Sequence, residues 1–301
     1  TGAVLYEDDA DAPRYPASLT KIMTLYMLFE AVDAKRITLD SKFAVSARAA
    51  HQAPTKPGLK EGETISTVLP LPEDEEEWKN LHVIFATAQG GVRRNSMDAF
   101  ANVPSNGKFA MRFDDEATDR LIGVALLTEQ DDVLLATRNG KAIRFEATAV
   151  REFQSRTSTG VRGVTLKDGD EVISLSILKG FDATTHERDA YLRAAPWKEN
   201  ENEPILSPER MKEFADAEEF ILTVCANGYG KRSSAFEYRR TNRGGQGITN
   251  IDNIARNGPV VASFPAHDGE QLMLVTDQAK LIRMSVGDTR VIGRGSAGVR
   301  L

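Results

Sequence analysis

The sequence predicts a mainly β fold: a propeller-like, radial array of about four blades, each of several short strands, preceded by a small α-helical fragment. Three observations carry this expectation. An apolar run and a turn recur four times: VIFAT (83–87) before Gln89-Gly90, VLLAT (133–137) before Asn139-Gly140, FILTV (220–224) before Asn227-Gly228, and LMLVT (272–276) before Gln278-Ala279. Strand, Asn-Gly, strand is a strong short-range hairpin signal. A cation stands four residues after each Gly or Ala, at Arg94, Arg144, Arg232 and Arg283, with spacings of 50, 88 and 51. A further glycine follows 17 to 23 residues after the turn, at Gly107, Gly163, Gly247 and Gly298, and three of these close a G-x-x-G (Gly160/Gly163, Gly244/Gly247, Gly295/Gly298). A period near 50 with several short strands per copy indicates blades rather than a helical solenoid. The spacing of 88 is one period plus an insertion at 179–219.

The totals exclude several classes. The chain has 301 residues, 41% of them hydrophobic, which suits two domains with real cores and excludes wholesale disorder. No 18-residue apolar run is present, so no membrane span is expected. The chain opens TGAVLYEDDADAP, without a basic leader or a starting Met, and so reads as a cytoplasmic protein and as a fragment. The single cysteine, Cys225, and four scattered histidines give neither a disulfide framework nor a metal site, and no cofactor is expected. Net charge is −6; residues 1–67 hold 8 basic and 9 acidic side chains, the rest 30 and 35. Nucleic-acid binders are usually basic overall, so here only the distribution of charge can support binding.

In order along the chain, residues 1–65 come first. Ile22, Met23, Leu25, Tyr26, Leu28, Phe29 and Val32 are apolar at helical spacing, predicting a buried helix from Ser18. Ser18 and Lys21 lie three apart on one face, where an amine can take the proton of a hydroxyl. S-x-x-K is common by chance, and Ser18 as a plain N-cap is the ordinary alternative. The wider string VLYEDDADAPRYPASLTKIMTLYMLFEA closely resembles the start of the serine D-alanyl-D-alanine carboxypeptidases, the low-mass penicillin-binding proteins. By that resemblance Ser18 would be acylated and Lys21 would be its base. The S-x-N and K-T-G that the family needs are absent from this chain, and with them the fixed donors an oxyanion requires. No peptidase activity is therefore expected.

At 60–65 the string KEGETI suits both neighbours, and the chain reads as a chimera of two unrelated families, an illegitimate recombination or an assembly artefact. Residues 66–301, with the lead-in LPLPEDEEEW and the four repeats, closely resemble the C-terminal domain of bacterial DNA gyrase A, and the resemblance implies a β-pinwheel, a propeller-like ring of four-stranded blades that is incomplete here. The equivalent protein of topoisomerase IV carries a related, more degenerate ring. The resemblance implies a basic rim that binds and bends double-stranded DNA, a place beside the rest of a gyrase heterotetramer, and no activity from this chain alone. It also implies a degenerate copy of the family's Q-R-R-G-G-K-G box at 241–247, keeping Arg243, Gly244, Gly245 and Gly247. The copy with the full box would lie upstream of 68, and the last repeat ends before its closing strand, so the ring is open at both ends.

Hairpin turns around a disc would present cations at regular intervals, as a bent duplex presents phosphates. The candidate rim cations are Arg93, Arg94, Arg138, Lys141, Arg144, Lys231, Arg232, Arg239, Arg240, Arg243, Lys280 and Arg283; for each, the ordinary alternative is a solvated surface charge. In the insertion, 182–192 is helix-compatible, Ser207-Pro208-Glu209 is a helix start, and Trp197 is a packing anchor. Two other readings stand beside the DNA-bending one: a remnant acyl-transferring enzyme at Ser18, and a protein-binding propeller.

Overall fold

The computed structural model describes residues 35–36, 65, 67–72, 74–101, 103, 107–113, 118–198, 205–252 and 255–301. Two compact units divide the chain, Thr1–Lys56 and Pro57–Leu301, a division ahead of the expected boundary at 65/66. Ser18, Lys21 and the helix predicted from Ser18 lie outside the described residues.

Each recurring apolar run is the first strand of a hairpin. The pairs are β1 (His82–Thr87) with β2 (Gly91–Ser96), β4 (Asp132–Thr137) with β5 (Lys141–Glu146), β8 (Phe220–Cys225) with β9 (Tyr229–Ser234), and β12 (Gln271–Val275) with β13 (Leu281–Ser285). The turns differ from the Asn-Gly type expected. In each, the fourth turn residue donates its N–H to the first carbonyl: Gly90 to Thr87 (3.0 Å), Gly140 to Thr137 (3.1 Å), Gly228 to Cys225 (3.0 Å) and Ala279 to Thr276 (3.0 Å). Only that fourth residue takes positive φ, at 84°, 80°, 76° and, for Ala279, 58°. This is the three-residue hairpin loop with a left-handed last residue, which spares Asn139 and Asn227 a positive φ.

The strand order shows how the blades join. Sheet A runs β3-β1-β2-β6, sheet B β7-β4-β5-β10 and sheet C β11-β8-β9-β14, with β3 (Leu121–Leu127), β6 (Val161–Arg162), β7 (Val172–Leu178), β10 (Ile248–Thr249), β11 (Val260–Ala266) and β14 (Val299–Arg300). The chain finishes each hairpin in a 3-10 turn, crosses back to the preceding sheet, supplies its fourth strand, and returns. Blade A is thus completed by β6, which follows the hairpin of blade B. The strand just before Leu301 likewise closes sheet C, and the last hairpin, β12–β13, remains a sheet of two strands among the described residues.

The glycine repeat has a different register from the one expected. Val161, Ile248 and Val299 pair with Val92, Ala142 and Gly230, so the residues preceding them, Gly160, Gly247 and Gly298, are equivalent. All three take positive φ (93°, 70°, 80°). A Cβ on Gly247 would lie 2.5 Å from the Ala142 carbonyl oxygen, one on Gly298 2.7 Å from that of Gly230, and one on Gly160 against that of Val92. The backbone runs too close for any side chain. Gly163 instead matches Asn250 and Leu301, the residues that donate to the turn glycines Gly90, Gly140 and Gly228.

Cores form between successive sheets. Ile84 and Ala86 of blade A meet Val133, Leu135, Ile143 and Phe145 of blade B. The alternate residues of the same strand, Leu134 and Ala136, meet Ile221 and Ala235 of blade C, and Leu222 and Val224 meet Leu272 and Val286 of the last hairpin. A strand buried on both faces reads as a continuous apolar run, which is why VLLAT and FILTV stand out in the sequence. The third strands β3, β7 and β11 contact one another in succession, which puts the fourth strands at the outer edge.

The insertion forms α1 (Thr185–Arg193) and α2 (Pro208–Asp216). Ser207 caps α2 by accepting from the Arg210 N–H at 3.2 Å, with Pro208 in the first turn. Thr184 and Glu187 form a reciprocal capping box on α1. The helices bury Tyr191 and Phe214 against Phe181 and Phe236, and Trp197 sits edge-on to Tyr191 (5.7 Å) and Phe220 (5.0 Å).

Candidate nucleic-acid interface

The cation four residues after each turn glycine points into the joint between blades. Arg94 Nε donates to the Val150 carbonyl at 2.8 Å, and Arg232 Nε to the Thr289 carbonyl at 2.7 Å; both carbonyls end the 3-10 turn of the following hairpin. Arg144 Nη1 reaches the equivalent turn at the Ala235 carbonyl (2.9 Å). Each guanidinium also meets a carboxylate: Arg94 with Glu129 (3.3 Å), Arg144 with the fully buried Asp132 (2.7 Å), Arg232 with Asp268. The backbone carbonyls of the same arginines accept from Phe153, Thr241 and Ile292 of the crossing connector. Burial pulls Arg144 below the usual guanidinium range, and Asp132 pulls it back up.

The preceding position is equally enclosed. Arg93, with no exposed surface, donates to Asn95 Oδ1 (2.8 Å) and to the Ser158 carbonyl (2.9 Å), and burial, aided by Arg156, lowers it to about 10. Lys231, also at zero exposure, donates to the Gly293 (2.9 Å), Ser296 (3.1 Å) and Arg294 carbonyls, and burial lowers it to about 8. Five of the twelve expected rim cations, Arg93, Arg94, Arg144, Lys231 and Arg232, are therefore enclosed. Their hydrogen bonds are used in holding the connector, and they cannot reach a phosphate while the blades are joined.

The other seven lie nearer the surface. Arg138 pairs with Glu171 (3.1 Å), Lys141 donates to Thr249 Oγ1 (3.2 Å), and Arg240 is held by Asp132 (2.8 Å) and Asp182 (3.0 Å). Lys280 and Arg283 are exposed on the last hairpin, Arg283 bonding Gln271. Arg239 is exposed and carries no ion pair among the described residues.

Arg243, from the box-like loop, has a defined structural part. Its Nε donates to the Ala149 carbonyl (2.8 Å) and its Nη1 to that of Arg162 (2.9 Å). Arg294 stands at the same place one blade on, with Nε to the Glu237 carbonyl (3.2 Å) and Nη1 to that of Thr249. Each ties the fourth strand of one blade to that of the next along the outer edge. Gly244 and Gly245 of the loop accept from the Thr165 hydroxyl (2.7 Å) and N–H (2.9 Å).

Sequence reasoning found Arg239 but missed the residues equivalent to it. The connectors touch the second hairpin strand at Arg94↔Glu152, Arg144↔Arg240 and Arg232↔Val291. One residue earlier stand Arg151, Arg239 and Arg290, all exposed and without an ion pair among the described residues. Arg162 and Arg300 are likewise exposed at matching places on β6 and β14. The signal was available in the sequence, but only to an alignment on the connectors rather than on the hairpin turns. The outermost layer thus offers one unneutralised arginine per blade at a fixed position, on a chassis held by the buried ones. Among the described residues no group of His, Cys, Asp or Glu is arranged to hold a metal ion, and no helix is long and apolar enough to cross a membrane.

The family model described as DNA gyrase C-terminal domain, beta-propeller, matches residues 81–128, 131–179, 219–266 and 270–301, one segment per hairpin repeat. The family model described as D-alanyl-D-alanine carboxypeptidase matches residues 1–67. The DNA gyrase A protein of Granulibacter bethesdensis is 47% identical over 262 residues, covering 79% of this chain and 28% of its own length. That of Rickettsia bellii is 46% identical over 254 residues (81% and 28%), and that of Staphylococcus epidermidis 34% over 243 residues (81% and 23%). The chain therefore spans under a third of the length of these relatives. A solved C-terminal domain of DNA topoisomerase IV matches with a TM-score of 0.56 at 20% identity, over 74% of this chain and 57% of that one. A DNA gyrase A C-terminal domain matches at 0.54 and 21%, over 74% and 61%. At such identities the structures speak for the fold, and they agree with the three interlocked sheets. Repeat by repeat, from the first hairpin to the last residue, the chain belongs to the DNA gyrase C-terminal domain family.

Proposed function

We propose that residues 66–301 bind duplex DNA along the outer edge of the blades and bend it, as an accessory domain of a cytoplasmic type II topoisomerase working with the remaining gyrase subunits. The observation that supports this most directly is the threefold recurrence of an exposed, unpaired arginine at one point of the connector: Arg151, Arg239 and Arg290. Arg162 and Arg300 on the fourth strands extend the track, with Arg138, Lys141, Arg240, Arg243, Lys280 and Arg283 flanking it. Cations spaced along a curved edge neutralise phosphates without reading bases, so such binding depends on charge and DNA deformability.

Two measurements test the reading. Binding to a duplex of mixed sequence should weaken steeply with salt, and R151A/R239A/R290A should flatten the log–log slope by about 0.9 for each phosphate no longer neutralised. Ligation of relaxed circles with the chain bound should trap a shift in linking number if the bend is chiral. Binding indifferent to salt, or a triple variant with the parent slope, sinks the proposal and favours a protein-binding propeller. The match at 1–67 supports a second reading, a carboxypeptidase remnant with Ser18 as acyl acceptor and Lys21 as base. Without S-x-N and K-T-G we expect no adduct with a fluorescent penicillin, and a stable adduct lost in Ser18→Ala would reverse that expectation.

A further inference from the structure

The repeats that match the family model stop at residue 179 and resume at 219. What lies between is charged unlike the rest. Residues 68–301 hold 30 basic and 35 acidic side chains; the insertion from 179 to 219 accounts for 6 and 11 of these, which leaves 24 of each for the blades. The net negative charge of this region is therefore carried by the insertion alone.

The insertion stands against one connector. Leu178 of β7 pairs with Asp132, and Phe220 of β8 with Ser234, so the insertion leaves and rejoins the blades at the strand ends remote from the hairpin turns. Gly180 lies so close to the Gln130 carbonyl oxygen that a Cβ has no room, and Phe181 packs edge-on to Phe236 with ring centroids 5.4 Å apart. Beyond them the insertion forms one wall of a cleft of about 680 Å³, with Asp182, Glu187 and Arg188. The connector forms the other wall, with Arg239, Arg240 and Thr241.

This connector differs from its two equivalents. Glu152 follows Arg151 and Val291 follows Arg290, but a second cation, Arg240, follows Arg239. It is this second cation that meets the insertion: Arg240 Nη1 pairs with Asp182 at 3.0 Å, while its Nε is held by Asp132 at 2.8 Å. The two carboxylates are not alike. Asp132 has no exposed surface and fixes the guanidinium in place. Asp182 is fully exposed, and its backbone carbonyl accepts from Arg210 of α2 at 2.8 Å. An exposed ion pair contributes little, so another anion can replace it at small cost.

We propose that Asp182 competes with DNA phosphate for Arg240, an inference that rests on the outer-edge DNA binding proposed above. Arg239 offers one cation at this joint, as Arg151 and Arg290 do at theirs. Arg240 adds a second only where a phosphate displaces Asp182, so the insertion holds this joint below the strength its two arginines would give. The remaining acids of the insertion act in the same direction, but salt at 0.1 M screens exposed charges beyond about 10 Å. The residue in contact with Arg240 therefore decides the effect.

Fluorescence anisotropy on a mixed-sequence duplex with the 301-residue chain tests this, between about 0.05 and 0.2 M salt. Asp182→Ala removes the competitor and leaves Arg240 on Asp132. It should bind about threefold tighter or more, with a log–log slope steeper by about 0.9, one more phosphate neutralised. Asp216→Ala changes the net charge by the same amount, but Asp216 pairs with Lys212 of its own helix at 3.8 Å. It should leave affinity close to that of the parent. In an Arg240→Ala background the gain from D182A should vanish, and circular dichroism should be unchanged in every variant. A D182A variant that binds like the parent overturns the inference and leaves the outer-edge binding standing. So does a gain equalled by D216A, which makes it a matter of net charge, or a gain that survives R240A. Salt-independent binding of the parent sinks the outer-edge binding itself, and this inference with it.

Discussion

Arg144 lies between the Asp132 carboxylate (2.7 Å) and the carbonyls of Ala235 (2.9 Å) and Lys179 (3.2 Å), and it spends its charge inside the protein. Removing such a partner leaves a buried carboxylate uncompensated, at a cost of about 3–5 kcal/mol. Arg240 also touches Asp132 and keeps part of that charge covered, so Arg144→Met should lose about 3 kcal/mol in a urea titration, at the lower end of that range. DNA affinity of the folded fraction should not change. A loss of affinity without a loss of stability would return Arg144 to the binding surface. Glu218 is the counterpart among the acids. Burial beneath the insertion raises its carboxyl to about 8, against hydrogen bonds from Ser234 Oγ at 2.8 and 3.0 Å. An acid raised on folding contributes its stability below its unfolded value of about 4.3 and loses it as pH climbs through the folded value. Between pH 5 and pH 8.5 the difference between Glu218→Gln and the parent should therefore move in the variant's favour by about 1–3 kcal/mol. A pH-independent difference between the two would place Glu218 in water instead.

At the level of strands and turns, the sequence showed the hairpins well and the connections badly. Apolar runs such as VLLAT are buried on both faces, so the core itself spells them out. The helix start at Ser207-Pro208 was equally visible, because capping is local chemistry. The fourth strands are only two residues long, and what fixes them lies in another blade, so no periodicity in the connector reveals them. The glycine ahead of each was visible but misregistered at the first crossing, where Gly163 stood for Gly160. Its requirement is steric: a Cβ at Gly247 meets the Ala142 carbonyl oxygen at 2.5 Å, in a left-handed backbone. Gly247→Ala should cost about 2 kcal/mol or more from strain alone. It should also release β10, read as faster amide exchange at Ile248, Thr249 and Ala142 than elsewhere in sheet B. Uniform protection across the sheet in the variant would show that the close approach is relieved without detaching the strand. The candidate interface was half legible for a related reason. Alternation along β2, β5 and β9 sends Arg94, Arg144 and Arg232 into a joint that only the neighbouring blade defines, whereas the match of Arg239 to Arg151 and Arg290 shows only when the connectors, not the hairpin turns, are aligned.

For the molecule as a whole, the repeated crossing matters more than any one contact. Sheet A waits for β6, which comes after the hairpin of blade B; sheet B waits for β10, which comes after the insertion and the hairpin of blade C. The box-type arginines Arg243 and Arg294 then tie neighbouring crossings to each other at the outer edge. Stability is therefore shared between neighbours, as in other repeat proteins. There is a temporal side to this wiring. A ribosome delivers the chain from one end at about 5–20 residues per second. Residue 127 completes three strands of the first blade, but the fourth does not emerge until residues 161–162. At every moment of synthesis the newest blade is unfinished, and each blade's last strand leaves the ribosome only after its neighbour's hairpin is already there to be packed against. For blade B the wait is longest, because the 179–219 insertion must pass first, and a pause within that stretch would hold a three-stranded sheet with its edge open.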